Sequence, residues 1–463
     1  MALQTPVRER VTTIGDKGRR FWIYPAPFKG LWLKRRRVAA YLLIAIFFVA
    51  PWIKINGSQA ILMDLTERKF ALMGWVFWPQ DTLIFWFVMV GTVLAIFLIT
   101  ALWGRLWCGW ACPQTVFLEH VFRRIETWIE GDANARRRLD KSRWTLTKIR
   151  KKGLKYFVFL LISSHFANTV LCYFVGTDRV LHMTFQRPGE NWGWFVFMGF
   201  FNFLFFLDFT WFREQFCLIA CPYGRFQSAL LDEDSMIVAY DPNRGEPRTG
   251  FRKGQDRSKV GDCIDCNRCV AVCPTGIDIR HGLQMECINC TACIDACDAI
   301  MDKTNQPKGL IRYTSIADLD GRKRRLVRPR VIAYAALLTV VWSIGAFLLT
   351  HQSPLKIQLL RPRGDSFTIS DNTSTVSNHF LAKATNQSSE TWELVPKVPE
   401  GFEIVAAFNP WVIQPQKTTE NQIFVRKDAS QFNPEGKEKV TVTFYQNGDP
   451  VLDAEVTLIG PKQ

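Results

Sequence analysis

Hydrophobic positions fall into two patterns along this chain, with the change near residue 350. Before it, apolar residues come in long unbroken runs at about 38–55, 82–103, 154–175, 192–212 and 330–350. Each approaches or exceeds the roughly 20 residues that a helix needs to cross a hydrocarbon core. The fourth, "WGWFVFMGFFNFLFFLDFTWF", is apolar on every face, as a helix in lipid is. One buried soluble helix can look like this; five in one chain predict a membrane domain. Beyond the change, residues 353–463 alternate: "HFLAKAT", "TWELVPK", "FEIVAAF", "NQIFVRK", "KVTVTFYQNG", "LDAEVTLIG", punctuated by Gly, Pro, Asn and Asp. Period-two alternation with turn residues at short intervals predicts an all-β sandwich.

The net charge of +16 raises nucleic acid as a partner, but its placement decides against that. "KRRR" at 34–37 precedes the first run, residues 123–152 are crowded with Lys and Arg, and "RKRRLVRPR" at 322–330 precedes the fifth. The segments 56–81 and 176–191 are poor in both. Lys and Arg concentrate on the cytoplasmic side of bilayers. The expected topology therefore has five crossings in a bacterial inner membrane, the N-terminus and 213–329 in the cytoplasm, and 351–463 in the periplasm. Residues 1–37 are polar and basic, so no cleavable signal is expected there.

Spans two and four end alike. "WGRLWCGWACPQTVF" and "WFREQFCLIACPYGRF" share Trp, Arg, an aromatic residue before the first Cys, Cys-Pro, and Phe five residues past the second Cys. The membrane domain, 38–212, reads as a duplicated two-helix hairpin, with the fifth span at 330–350 added later. In each copy the two cysteines, Cys108 with Cys112 and Cys217 with Cys221, are spaced i, i+4. A helical turn would put both sulfurs on one face. Pro113 frees the carbonyl of Gly109 from its helical bond and marks a kink or a helix start. If the hairpins pack together, four thiols converge, and soft thiolates favour Cu(I) or an iron–sulfur cluster. The competing reading is that these are packing cysteines at a helix contact.

The remaining cysteines carry the strongest signal. "CIDCNRCVAVCP" and "CINCTACIDACD" are both Cys-x2-Cys-x2-Cys-x3-Cys, the spacing of bacterial two-cluster ferredoxins, in which the fourth Cys of each run serves the other cluster. One [4Fe–4S] cluster is thus assigned to Cys263, Cys266, Cys269 and Cys297, and the other to Cys287, Cys290, Cys293 and Cys273. A zinc site usually takes its four ligands as two separate pairs, not as a continuous run of four Cys. Asp298 stands where proline is usual after the second run, which removes no ligand. Of the 13 cysteines only Cys172 is left over, and it reads as a small packing residue in span three. Glu119 and His120, Asp208, His165 and Asn168 are weaker polar candidates, read as interface or helix–helix contacts. His281 is read as a surface residue.

Taken together, the basic N-terminus, the spans ending in "CGWACP" and "CLIACP", the ferredoxin segment, one more span and a β-domain resemble the CcoG/FixG/RdxA family of cytochrome c oxidase accessory proteins over nearly the whole chain. The resemblance implies an α-helical membrane domain, an α+β two-cluster ferredoxin domain and an Ig-like C-terminal domain. It further implies an inner-membrane protein that reduces Cu(II) to Cu(I) for assembly of a cbb3-type oxidase, with Cys108, Cys112, Cys217 and Cys221 as its copper or redox thiols. On that reading the protein is an oxidoreductase, a cupric reductase. Its partners are the lipid bilayer, copper-delivery proteins or oxidase assembly factors, and an electron donor the sequence does not name, with a homodimer among the expected states. Quinol-linked ferredoxins of the NapH and NosR type share the paired Cys-x3-Cys-Pro and are the nearest rival, against which the C-terminal β-domain speaks. A scaffold with structural clusters is the rival of a different class.

Overall fold

The structure is a computed structural model and describes residues 21–55, 57–64, 69–78, 82–250, 260–351, 353–364, 366–369, 374–388 and 390–461. Most of the basic N-terminus lies outside these residues. The chain divides into two compact units, one built on 83–345 with the N-terminal segment and the other on 346–463.

Among the described residues, four helices are long and apolar enough to cross a membrane: Leu83–Trp103, Leu146–Val175, Trp192–Phe212 and Pro329–Thr350. The first expected span differs. Its helix, α1 (Leu31–Val49), has 19 residues with the basic run Lys34–Arg37 in its second turn, and a 3-10 turn follows at Ala50–Trp52. Its apolar part is therefore shorter than the other four. Gly30 offers α1 no side-chain cap. The carboxylate of Asp295, more than 260 residues away in the ferredoxin segment, accepts from the backbone N–H of Trp32 (3.1 Å) and Leu33 (2.7 Å) instead. The bundle core between α1 and the helices 113–130, 146–175 and 192–212 is aromatic, with Phe47, Phe117, Phe122, Phe159, Phe166 and Phe209 in mutual contact. Cys172 is buried against Leu171 and Val180, the packing role expected for it.

Between the long helices Leu83–Trp103 and Leu146–Val175, α2 (Arg123–Glu130) and α3 (Ala133–Lys141) carry a buried ionic network. Glu126 accepts from Arg213 (2.9 Å), Arg136 (2.8 Å) and Lys155 (3.4 Å), and Glu130 pairs with Lys155 (2.8 Å) and Lys152 (3.0 Å). Burial alone would raise the Glu126 carboxyl; Arg213, Lys155 and Arg136 override it and hold the group well below the usual carboxylate range. Removing one partner of such a network leaves buried charge uncompensated, at a cost of about 3–5 kcal/mol. Glu126→Ala is expected to destabilise detergent-purified protein by that much, read as a lower thermal midpoint, while Glu403→Ala, on an exposed ion pair of the β-domain, leaves the midpoint nearly unchanged. The depressed carboxyl also sets the sign with pH: its stabilisation is present above the unfolded carboxylate pKa and is lost as acid titrates the folded group.

The ferredoxin segment pairs β1 (Ile237–Tyr240) antiparallel with β2 (Ile311–Thr314), and helices follow at Arg268–Ala271 and Ala292–Thr304. The two Cys runs fold alike. Asp265 and Asn267 in the first, and Asn289 and Thr291 in the second, have φ between 52° and 65° at matching positions. This left-handed backbone wraps each loop inward. Asn and Asp tolerate it, but for β-branched Thr291 it is strained, as is common where structure serves a site.

The second unit contains the predicted sandwich. Strand β3 (Leu355–Leu360), β4 (Thr368–Ile369), β5 (Thr375–Asn386), β6 (Trp392–Lys397), β7 (Glu403–Ala406), β8 (Trp411–Ile413), β9 (Thr418–Asp428), β10 (Lys437–Gln446) and β11 (Asp449–Ile459) form two antiparallel sheets. Their orders are β7-β9-β5-β3, with β4 on β5, and β8-β6-β10-β11. Alternate residues, among them Phe380, Ala382, Ile423, Val425, Val442 and Phe444, fill the core between them.

Candidate metal and electron-transfer centre

The eight ferredoxin cysteines line two pockets. One is lined by Cys273, Cys287, Cys290 and Cys293, and the other by Cys263, Cys266 and Cys297, with Cys269 at the wall of both. The fourth Cys of each run lies with the other run's thiols. After burial, Cys297 is pushed up to about 12 by the charges of Cys269, Cys263 and Cys266. Cys293, also raised by burial, feels Cys290, Cys287 and Cys273. Two sets of four thiols, each gathered around its own space, fit two [4Fe–4S] clusters. Cys266 is exposed, whereas Cys287 and Cys290 are buried.

The four remaining thiols also assemble. Burial raises Cys217, and the charges of Cys112, Cys108 and Cys221 add to the effect; Cys108 is pushed up to about 12 by burial and then by Cys112. Thiols raised this far are protonated at neutral pH, so a soft metal would have to displace their protons. The cysteines do not sit on one helical turn as the spacing predicts. Cys108 lies in a short helix, Leu106–Trp110, while Cys112 has ψ 124° and caps the next helix, which opens on Pro113. Cys221 has ψ 108° ahead of Pro222. The physical reason is the proline, which drives the residue before it out of the helical region. In both copies the second Cys donates its N–H five residues back, Cys112 to Trp107 O and Cys221 to Phe216 O, each at 2.8 Å. The carbonyl that Pro113 frees, on Gly109, accepts from Arg36 Nε at 2.7 Å. Gln114 joins the copies, donating Nε2 to Asp208 Oδ1 (3.2 Å) and Arg213 O (3.1 Å), and the Cys108 thiol donates to Gln227 Oε1 (3.2 Å). Among the described residues no three His, Cys, Asp or Glu stand close enough to hold one bare ion. That applies to the ferredoxin sets, whose ligands surround several irons, and to this third set alike.

The third set abuts the second Cys run. A Cβ on Gly109 would lie 2.4 Å from Ile288 O and 2.9 Å from Asn289 O, so backbone meets backbone there and only glycine fits. Cys108 packs against Ile288, Cys290 and Ala292. Trp110 Nε1 donates to Tyr313 Oη (3.1 Å), which donates to Asn289 O (3.2 Å). Arg123 Nη2 donates to Pro274 O, beside Cys273.

The weaker candidates have quieter places. Glu119 pairs with Arg123. His120 is buried, and burial followed by the charges of Arg36 and Arg37 lowers its pKa to about 3, so it stays neutral. His165 stacks on Phe48 at 4.7 Å. Asn168 leaves its buried Oδ1 without a hydrogen-bond partner. His281 contacts Asp278 at 3.4 Å, and Asp298 accepts from Gly309 N. Sequence reasoning missed Arg36, Arg105, Gly109 and Tyr313, whose roles depend on contacts far along the chain.

Comparison with known proteins agrees with this arrangement. The chain is 37% identical over 366 residues to protein RdxB of Cereibacter sphaeroides, covering 75% of each chain. It is 33% identical over 410 residues to the nitrogen fixation protein FixG of Rhizobium meliloti, covering 80% of this chain and 77% of that one. The chain belongs to the FixG/RdxA family. Within it, residues 212–316 match the 4Fe-4S dicluster domain, 84–133 match a 4Fe-4S binding domain, and 345–461 match the Ig-like fold at the C-terminus of FixG. A FixG/RdxA chain with these parts is an iron–sulfur electron-transfer protein. A more distant likeness, 24% over 259 residues, is to the ferredoxin-type protein NapH of Haemophilus influenzae, covering 51% of this chain and 85% of NapH. A solved FixG-related protein from Vibrio parahaemolyticus aligns with 24% of this chain at 13% identity and a TM-score of 0.20, too low to argue from.

Proposed function

We propose that this protein is a membrane cupric reductase that passes electrons from its ferredoxin clusters to copper at the third set of cysteines and serves assembly of a copper-containing oxidase. The observation that carries this reading is the direct backbone contact of the Cys108–Cys112 turn with the Cys287–Cys290 loop at Gly109. Bound clusters would supply one-electron redox chemistry. The chain's own residues do the rest. Cys263, Cys266, Cys269 and Cys297 hold one cluster, with exposed Cys266 at the face open to a soluble one-electron reductant. Cys287, Cys290, Cys293 and Cys273 hold the other beneath the membrane helices. Cys108, Cys112, Cys217 and Cys221 take the copper: thiolates prefer Cu(I) to Cu(II), so a Cu(II) ion seated there gains one electron and remains bound as Cu(I), and the protons of the thiols pass to solvent or to the exchanging carrier. Closing on a single ion requires the four side chains to turn inward from their present spacing.

A second reading has its own support. The match of 84–133 to a 4Fe-4S binding domain and the lack of a single-ion site among the described residues both fit a third cluster on the same four thiols. Copper would then be absent from this set, and iron content separates the two.

The charge asymmetry supports five crossings, with α1 and Ala50–Ile53 as the first, the ferredoxin segment in the cytoplasm and the sandwich in the periplasm. A reporter active only when exported should work after Gly460, and one active only when retained should work after Lys303. The opposite pattern would invert the topology and put the clusters in an oxidising compartment.

A further inference from the structure

Each repeat carries an arginine just before its first Cys, Arg105 in "RLWC" and Arg213 in "REQFC". The two are both buried but have different partners. Arg213 donates both Nη atoms to the Glu126 carboxylate. Arg105, 5% exposed, makes no ion pair among the described residues. Its guanidinium reaches three main-chain carbonyls: Nη1 donates to Met285 O and to Cys287 O (3.2 Å), and Nη2 donates to Gly224 O (3.1 Å). Met285 and Cys287 open the second ferredoxin run, and Gly224 closes the second Cys-x3-Cys-Pro turn. One side chain therefore ties together the loops of two thiol sets. Arg36, 3% exposed, is a second such cation, donating to Gly109 O and leaving Nη2 without a partner.

A buried guanidinium without a carboxylate is costly unless another negative charge offsets it. The negative charge comes with metal: cysteine ligands are anionic once a metal has displaced their protons. Arg105 holds loops of both sets through their carbonyls. Among the described residues no arginine ties the Cys263 set to the Cys108 set in this way. We propose that Arg105 is a shared counter-cation that couples the Cys273, Cys287, Cys290 and Cys293 set to the Cys108, Cys112, Cys217 and Cys221 set, leaving the Cys263 set uncoupled. Arg105 is a positioning residue here, and the proposal rests on the reading that the third set binds metal. Its electrostatic content is simple. A cation shared by two anionic sites eases reduction of each, and a change of charge at one site is felt at the other.

The test is a redox titration of the full-length protein in detergent, followed by electron paramagnetic resonance, with each cluster signal assigned by its loss in Cys263→Ser or Cys287→Ser. In Arg105→Gln the midpoint of the Cys287-set cluster should shift negative and that of the Cys263-set cluster should stay, with iron content unchanged. Arg105→Lys, which keeps the charge without the planar fork, should restore most of the shift. Equal shifts of both midpoints, or none, would overturn the coupling. Wild-type protein gives a second arm free of any folding risk: loading with Cu(I) should move the Cys287-set signal alone. Copper that binds and moves the Cys263-set signal, or neither signal, contradicts the proposal. Failure of Cu(I) to bind at all counts against the copper reading instead, and the Arg105→Gln midpoints then still decide whether the coupling exists.

Discussion

Cys287→Ser is expected to halve the iron content, from about eight to about four atoms per chain, and to weaken the join between the ferredoxin segment and the membrane helices. Serine keeps the size but replaces a soft thiolate with a hard, poor ligand. The position magnifies the loss. Cys287 is buried, its carbonyl accepts from Arg105, and its neighbour Asn289 accepts from Val238 N on β1 and from Tyr313. Metal binding at such a loop contributes folding free energy, so the variant should also unfold at lower temperature and digest faster with protease between 260 and 300. Cys266→Ser is the informative contrast. Cys266 is exposed, so the variant should lose its own cluster with a smaller thermal penalty. Iron per chain by absorption spectrometry, together with melting curves, checks both; a full iron complement in Cys287→Ser would refute the ligand assignment.

Cys108→Ser and Cys221→Ser are each expected to abolish most copper reduction while both ferredoxin clusters stay intact. The two residues lie in different repeats, yet each enters the same set of mutually interacting thiols. Sites that bind through several thiolates lose most of their affinity for a soft ion when one becomes a hydroxyl. Packing cysteines would behave otherwise: a partly buried Cys→Ser change at a helix contact costs little, and copper reduction would continue. A quinol-linked role predicts that electron flow from quinol fails in these variants while copper has no effect. A scaffold predicts that oxidase assembles even when the clusters cannot be reduced. Anaerobic mixing of pre-reduced protein with Cu(II), read with a Cu(I)-specific chelator, separates these outcomes.

How much of this could be read in the sequence follows the range of the interactions. The gathering of the eight ferredoxin cysteines was legible because a cubane requires a fixed cysteine spacing over a dozen residues, and the left-handed positions at Asp265, Asn267, Asn289 and Thr291 shape the two loops alike. The coming together of Cys108, Cys112, Cys217 and Cys221 was legible from duplication, since two like hairpins pack alike. Their local geometry was half legible. Pro113 and Pro222 were recognised as breaks, but the i, i+4 spacing suggested a helical face that the same prolines remove by holding Cys112 and Cys221 extended. In the sandwich, β3, β4 and β8 were missed: "LKIQLL" follows directly on an apolar helix, Thr368–Ile369 is only two residues long, and Trp411–Ile413 is a three-residue strand between prolines. Arg36 on Gly109, Arg105 on Cys287 and Asp295 capping α1 lie beyond any local pattern, at separations of 73, 182 and more than 260 residues.

The most direct test of the central claim is the metal content of anaerobically purified protein, counted as iron and copper together after loading with Cu(I) and removal of excess. The copper reading predicts about eight iron atoms per chain and copper retained by wild-type protein but not by Cys108→Ser. About twelve iron atoms and no retained copper would contradict it, and would assign the third set of cysteines to a third iron–sulfur cluster.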